Sequence, residues 1–223
     1  MLQQKSKKFF VYVFLFFLVG TFNNKNLSKL NFPEINDIYV TGLNEEQNLE
    51  VLKSLQTYKI NSLFLLNRFQ IEKLINNFNH IENYSVFKKY PSSLKIELSE
   101  TRYLAHVTKD DKKYLLGSNG KLIKTKNQKK ILPYFFGSLN IDEFFELKRV
   151  IDKLNFDYRK IKNIYFFPSG RWDLEINSGI LIRLSGSRLE ESLKLSIRIL
   201  EDGNFRNIKT IDVRQLNQVI VNE

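Results

Sequence analysis

"FQIEKLINNFNHIENYSVFKKYPSSLKIELSE", Phe69 to Glu100, contains a change of period. Ile71, Leu74, Ile75 and Phe78 fall at i, i+3, i+4 and i+7, one face of a helix. From Tyr84 onward the apolar positions recur every second residue: Tyr84 and Val86, then Leu94, Ile96 and Leu98. That alternation turns one face of a strand to a core and the other to water. Pro91-Ser92-Ser93 separates the two runs, so they read as a hairpin. A helix feeding an antiparallel hairpin defines an α+β unit, and the flanking sequence enlarges it.

Upstream, "DIYVTG" (Asp37–Gly42) reads as a short strand ended by glycine. Asn44 with Gln47 three residues on has the spacing of a capping box, and Glu45 and Glu46 suit a first helical turn. A helix to about Gln56 is expected. Asn67 with Gln70 repeats the signal. The order over Asp37–Glu100 is therefore β-α-α-β-β.

Downstream, the strands shorten and turn signals multiply. "YLAHVTKDDKKYLLGSNGKLIK" alternates through turns at Asp110-Asp111-Lys112 and Gly117-Ser118-Asn119-Gly120. Phe144, Leu147, Ile151 and Leu154 share one helical face. "NIYFF" reads as a strand. "RWDLEINSGILIRL" reads as a second hairpin, with Trp172, Leu174 and Ile176 facing one way and Asp173 and Glu175 the other. Ser187 with Glu190 predicts an N-capped helix bearing Leu189, Leu193, Ile197 and Leu200, with Gly203 as its C-cap. The chain closes on "IDVRQLNQVIVNE", whose last apolar run, Val219-Ile220-Val221, is expected to be an exposed sheet edge.

The N-terminus bears on compartment. Lys5, Lys7 and Lys8 precede a charge-free run from Phe9 to Asn24. A bilayer core takes about 20 helical residues, with a lower bound near 17. A helix apolar all round at an extreme terminus is a poor core helix. A cleaved signal peptide fits the length and the basic start, but Thr21-Phe22-Asn23-Asn24 lacks an A-x-A-like cleavage site. An uncleaved anchor, stretched by Lys8 and Lys25 snorkelling outward, fits better and leaves the N-terminus in the cytoplasm.

Bulk properties narrow the chemistry. The 223 residues carry a formal charge of +11, yet Lys and Arg are scattered, with no RNP motif, helix-turn-helix spacing or zinc-finger ligand set. A solvated basic surface is the reading, with no nucleic acid. There is no cysteine, so neither disulfide nor thiol chemistry applies. His80 and His106 have no companion ligands nearby in sequence. Asp110-Asp111 sits among lysines at a hairpin tip. "LSGSRLE" lacks the G-x-S-x-G elbow and "GSNGK" lacks the Walker spacing. Trp172 reads as core packing. No enzyme, cofactor, metal or small-molecule substrate is indicated, which leaves a binding or scaffolding protein.

Taken in order, these pieces resemble the FtsQ/DivIB family of bacterial cell-division proteins. "IYVTGLNEEQNLEVLKSL" is similar to the first strand and helix of its POTRA domain. Val86, Tyr90-Pro91, Leu94, Ile96, Leu98 and Glu100 carry the family's V-x-R-x-x-P-x-x-L-x-I-x-L-x-E pattern, with Lys88 at the Arg position. "YLLGSNGKLI", "ILPYFFG", "GRWDLEINSGILIRL" and "IDVR" resemble landmarks of its β domain, Gly117 replacing a common Asp, while Arg102-Tyr103 stands where proline is usual.

The resemblance implies a cytoplasmic tail (1–8), a transmembrane anchor (9–24), a linker (25–34), a POTRA domain (35–101) and a mixed-sheet β domain with flanking helices (102–223). It also implies a non-catalytic divisome subunit of the inner membrane, with its bulk in the periplasm at the septum. Such a subunit binds FtsB/FtsL-type partners by strand addition and FtsW/FtsI-type proteins more loosely. The residues it points to are Arg214, Gln215, Asn217, Val219, Ile220 and Val221, with Arg171 as a second basic contact. Gln215 stands where some relatives have an aromatic, so the contact is expected to rest on backbone pairing and aliphatic side chains. A POTRA-bearing periplasmic assembly or secretion component is the alternative.

Overall fold

The computed structural model describes residues 3–22, 33–57, 62–124, 131–202, 208–215 and 218–222, and within the first stretch the side chains of residues 7–19. Helix α1 (Gln3–Phe22) starts inside the expected tail, because Gln and Lys propagate a helix well. Among the described residues, no helix is both long and apolar enough to cross a membrane. The span expected over 9–24 is not supported by them: Phe9–Val19 rises about 17 Å at 1.5 Å per residue, against a hydrocarbon core of about 30 Å. Residues 25–32 of the expected linker lie outside the described residues. At its end, Glu34 already forms a β-bridge to Ser62.

Next come β1 (Asp37–Thr41), α2 (Glu45–Thr57), α3 (Arg68–Ile75), β2 (Ile81–Lys89) and β3 (Ser93–Glu100). The hairpin forms as its alternation requires, with Val86 opposite Ile96 and Tyr84 opposite Leu98. β1 pairs in parallel with β3, giving the order β1-β3-β2. Both helix starts are capped: Asn44 Oδ1 accepts from Gln47 N at 2.8 Å and Asn67 Oδ1 from Phe69 N at 3.0 Å. Val51, Leu55, Ile71 and Ile75 bury against Leu94 and Ile96. Gly42 ends β1 at φ +107°, and a Cβ there would sit 1.8 Å from Leu98 O, so only glycine fits.

The remainder builds a nine-stranded mixed sheet. Its elements are β4 (Tyr103–Lys109), β5 (Lys112–Gly117), β6 (Leu122–Lys124), β7 (Tyr134–Phe136), α4 (Ile141–Lys153), β8 (Ile161–Phe166), β9 (Trp172–Ile176), β10 (Leu181–Leu184), α5 (Leu189–Glu201), β11 (Thr210–Asp212) and β12 (Ile220–Asn222). The spatial order is β12-β11-β10-β9-β8-β7-β4-β5-β6. Both helices pack one face, where Phe144, Leu147, Ile151 and Leu193 meet Ile164, Trp172, Leu174, Ile182 and Ile211. Trp172 is core, its ring 4.4 Å from that of Phe166.

Two local readings are corrected. β7 falls in "ILPYFFG", whose family resemblance is to a Leu-Pro-x-x-x-Gly turn. Gly137 at φ +112° does end it, but the strand pairs in parallel with both β4 and β8. The N-cap of α5 is Arg188, with no side-chain cap bond; Ser187 Oγ contacts Ser185 Oγ instead, and Glu190 pairs with Lys153 at 2.7 Å. The expected cap Gly203 lies outside the described residues.

A polar seam joins the two sheets. Glu82 Oε2 accepts from Thr101 Oγ1 (2.6 Å) and Ser118 Oγ (2.9 Å). Asn119 Nδ2 donates to the carbonyls of Asn79 and Ile81, both at 2.9 Å, and Asn79 Nδ2 donates back to Leu122 O at 2.9 Å. A Cβ on Gly117 would lie 2.6 Å from Asn119 Oδ1 and 2.8 Å from Thr101 Oγ1. The seam's carboxylate therefore comes from Glu82, across the junction.

Candidate partner-binding edge

Strand alternation and register together assemble a charged row on the sheet face opposite the helices. Asp173 on β9 lies opposite Arg183 on β10. Arg183 lies beside Asp212 on β11, and Asp212 lies opposite Ile220 on β12. Arg171 and Arg214, just outside β9 and β11, reach into the same row. Sequence reading set Asp173 on the strand face opposite Trp172, Leu174 and Ile176. It does leave the helix face, but it is buried, covered by Arg171 and Arg183.

Arg214 is engaged with Asp212. Its Nε lies 2.8 and 3.0 Å from the two carboxylate oxygens, a terminal nitrogen 2.6 Å from Oδ2, and its backbone N 3.2 Å from Oδ1. This bidentate pair holds the Asp212 carboxyl below its usual pKa, mainly through the hydrogen bonds from Arg214. Asp173 shifts the other way: burial raises its pKa, and Arg171, Arg183 and Arg214 only partly oppose this.

Arg171 Nε is 3.0 Å from Asp173 Oδ1 but off the direction of a hydrogen bond, so both atoms stay unsatisfied. Its guanidinium lies 3.8 Å over the Phe167 ring. Arg183 reaches Asp173 and Asp212 only at 3.9 and 3.7 Å, and its buried Nε also lacks a hydrogen-bond partner. Three guanidinium groups thus face two carboxylates, one well paired and one loosely held. The row has one excess positive charge and unspent donors.

Beside it, β12 is the last strand of the sheet. It pairs antiparallel with β11, so the terminal run is paired on one side rather than wholly free. Among the described residues no strand lies on its other side. Val219 and Val221 pack toward the core, while Ile220 is 52% exposed. Gln215 is exposed and Asn217 lies outside the described residues. Arg171, Arg214 and Ile220 therefore share one corner. Asp173, Arg183 and Asp212 were missed as members. The signal was present: folding "RWDLEINSGILIRL" about its turn sets Asp173 opposite Arg183.

Elsewhere, His106 is buried and stacks on Tyr134 with ring centres 4.8 Å apart. Asp110 and Asp111 form a hairpin tip at positive φ. Among the described residues no three metal-ligating side chains cluster.

A POTRA-like β-α-α-β-β unit followed by a mixed nine-stranded sheet defines a two-unit α+β protein. The family model for the FtsQ-type POTRA domain matches residues 34–101, and that for the C-terminal part of cell division protein FtsQ/DivIB matches residues 105–214. The chain belongs to the FtsQ/DivIB family of cell-division proteins. It is similar to the cell division protein FtsQ of Rickettsia bellii (strain RML369-C), at 25% identity over 203 residues, covering 84% of this chain and 72% of that one. Among solved structures it matches the major extracytoplasmic domain of the trans isomer of Geobacillus stearothermophilus DivIB, at 20% identity and TM-score 0.33, covering 43% of this chain and 87% of that one.

Proposed function

We propose that this protein is a non-catalytic scaffold of the division machinery that captures partner proteins by adding their strand to β12. The observation that carries this is the outer side of β12, where no strand lies among the described residues, next to the arginine-rich row. An edge strand offers unpaired N–H and C=O groups to an incoming chain. Ile220 would meet an apolar side chain of that strand. Arg171 and Arg183, with donors to spare, would take an acidic one; Arg214, locked on Asp212, shapes the corner instead. Partners of the FtsB/FtsL type fit this role, and FtsW/FtsI-type synthesis proteins would be bound more loosely.

The same reading divides the chain into a POTRA domain (35–101) and a β domain (102–223). It gives α1 the job of holding both at the inner membrane, with the bulk in the periplasm at the septum. Nine large apolar residues between Phe9 and Val19 are exposed around the helix. A helix apolar on all sides needs an apolar surrounding.

The test is co-purification of the full chain with an FtsB/FtsL-type partner. Truncation after Gln218, and separately Ile220→Asp, should abolish capture while the circular dichroism and melting of the sheet persist. Undiminished capture by both variants would overturn the edge mechanism.

A further inference from the structure

The chain enters the POTRA domain at one pole. Asn36 N donates to Ser92 O at 2.9 Å, Asp37 pairs with Ser93, and Glu34 bridges to Ser62. Lys88 Nζ donates to Leu63 O (2.8 Å) and Leu66 O (3.2 Å), and the Phe64 and Tyr90 rings lie 5.0 Å apart. Residues 34–37, the 62–66 turn and the 90–92 turn therefore meet. This pole exposes Leu65 (68%), Phe69 (67%), Tyr90 (59%) and Phe64 (50%). Exposed Arg68, Lys88 and Lys89 surround them. The acids present are Glu34 and Asp37, and Asp37 already accepts from Ser93 Oγ at 3.3 Å.

Two further facts orient this pole. β2 runs nine residues from the seam with the nine-stranded sheet to the pole, which puts about 30 Å between them. Ten residues, 23–32, separate α1 from Pro33; they contain Lys25 and Lys29 and no acid. Fully extended they span at most about 36 Å. The chain from the apolar helix thus enters at this pole, within a reach of about 36 Å and on the side away from the second sheet.

We infer that this pole docks on the surface of an anionic lipid bilayer. Phe64, Leu65, Phe69 and Tyr90 enter the boundary between headgroups and acyl chains, where aromatic side chains settle. Arg68 and Lys89 meet the lipid phosphates. Docking at the pole stands the POTRA domain upright and carries β12 away from the membrane. The inference rests on the reading of α1 as a membrane helix.

Because the chain has no cysteine, a single one can be labelled cleanly. Full-length Leu65→Cys, carrying an environment-sensitive fluorophore, is reconstituted in vesicles of equal phosphatidylethanolamine and phosphatidylglycerol. Its emission should shift blue and be quenched by brominated lipid several-fold more than the same probe on Ser178→Cys, in the exposed β9–β10 turn. Phosphatidylcholine vesicles, or Arg68→Glu with Lys89→Glu, should weaken the effect. If the protein floats with vesicles while the Leu65 probe behaves like the Ser178 probe, docking is overturned and the anchor reading stands; a protein partner on this pole would give that result. If the full chain does not float with vesicles, both fall.

Discussion

Asp173 and Asp212 are two carboxylates, one strand apart on either side of Arg183, with opposite fates. Asp212 receives directed hydrogen bonds from Arg214, which favour its charged form. Asp173 is buried more than it is bonded. The signs follow by linkage. The pKa of Asp212 is lowered in the fold, so its stabilisation is present above the unfolded value, about 3.9, and is lost as pH falls through the folded value. The pKa of Asp173 is raised, so the native state holds a proton longer than the unfolded chain, and stability falls as pH rises from about 3.9 through the folded value. Asp212→Asn should cost about 1.5–3 kcal/mol near neutrality, the range for hydrogen bonds to charged groups, with a smaller deficit on acidification. Asp173→Asn should steepen the rise of stability with pH. Urea unfolding from pH 3 to 7 measures both; an Asp212→Asn deficit that does not change with pH would assign the effect to packing alone.

At the scale of elements, legibility tracks how local each determinant is. The 84–98 hairpin was readable because its alternation and turn lie within fifteen residues, and helix α4 because its apolar stripe is regular. β7 was not, since three residues after a proline carry too little pattern. It is a strand because β4 and β8 leave a slot between them, which no local window contains. The cap of α5 failed for a related reason: Arg188 Nη2 is drawn to Arg214 O at 3.2 Å, and the loop before the helix follows that contact rather than a serine bond. The terminal edge was readable as an apolar run, but its attachment to β11 was not. β7 has its own test. Gly137 sits at φ +112°, and a Cβ there would come 2.1 Å from Phe166 O. Gly137→Ala should therefore destabilise the nine-stranded sheet by more than about 1 kcal/mol. It should leave the three-stranded sheet's hydrogen-exchange protection intact; uniform loss of protection in both would show that the sheets unfold as one.

For the whole molecule, the proposed scaffold role makes the spacing between membrane and partner edge depend on whether the two sheets hold a fixed angle. The hydrophobic clusters of the two sheets are separate, so that angle rests on the polar seam. Its hydrogen bonds are worth about 0.5–1.5 kcal/mol each; Asn119 donates two across the junction, Glu82 accepts one from Ser118, and Asn79 and Lys121 donate one each. Removing Asn119 and Glu82 together should take away most of that restraint without touching either core. Spin labels on Glu45→Cys and Ser178→Cys, one in each unit, report the angle as a distance distribution. In the parent chain the distribution should be narrow. With Asn119→Ala and Glu82→Ala it should broaden markedly, while the circular dichroism of the chain stays the same. The double variant should also bind an FtsB/FtsL-type partner as a soluble strand with unchanged affinity, since β12 is remote from the seam, yet assemble less well with that partner when both are held in one membrane. A narrow distribution that survives both substitutions would show that contacts other than the seam fix the angle.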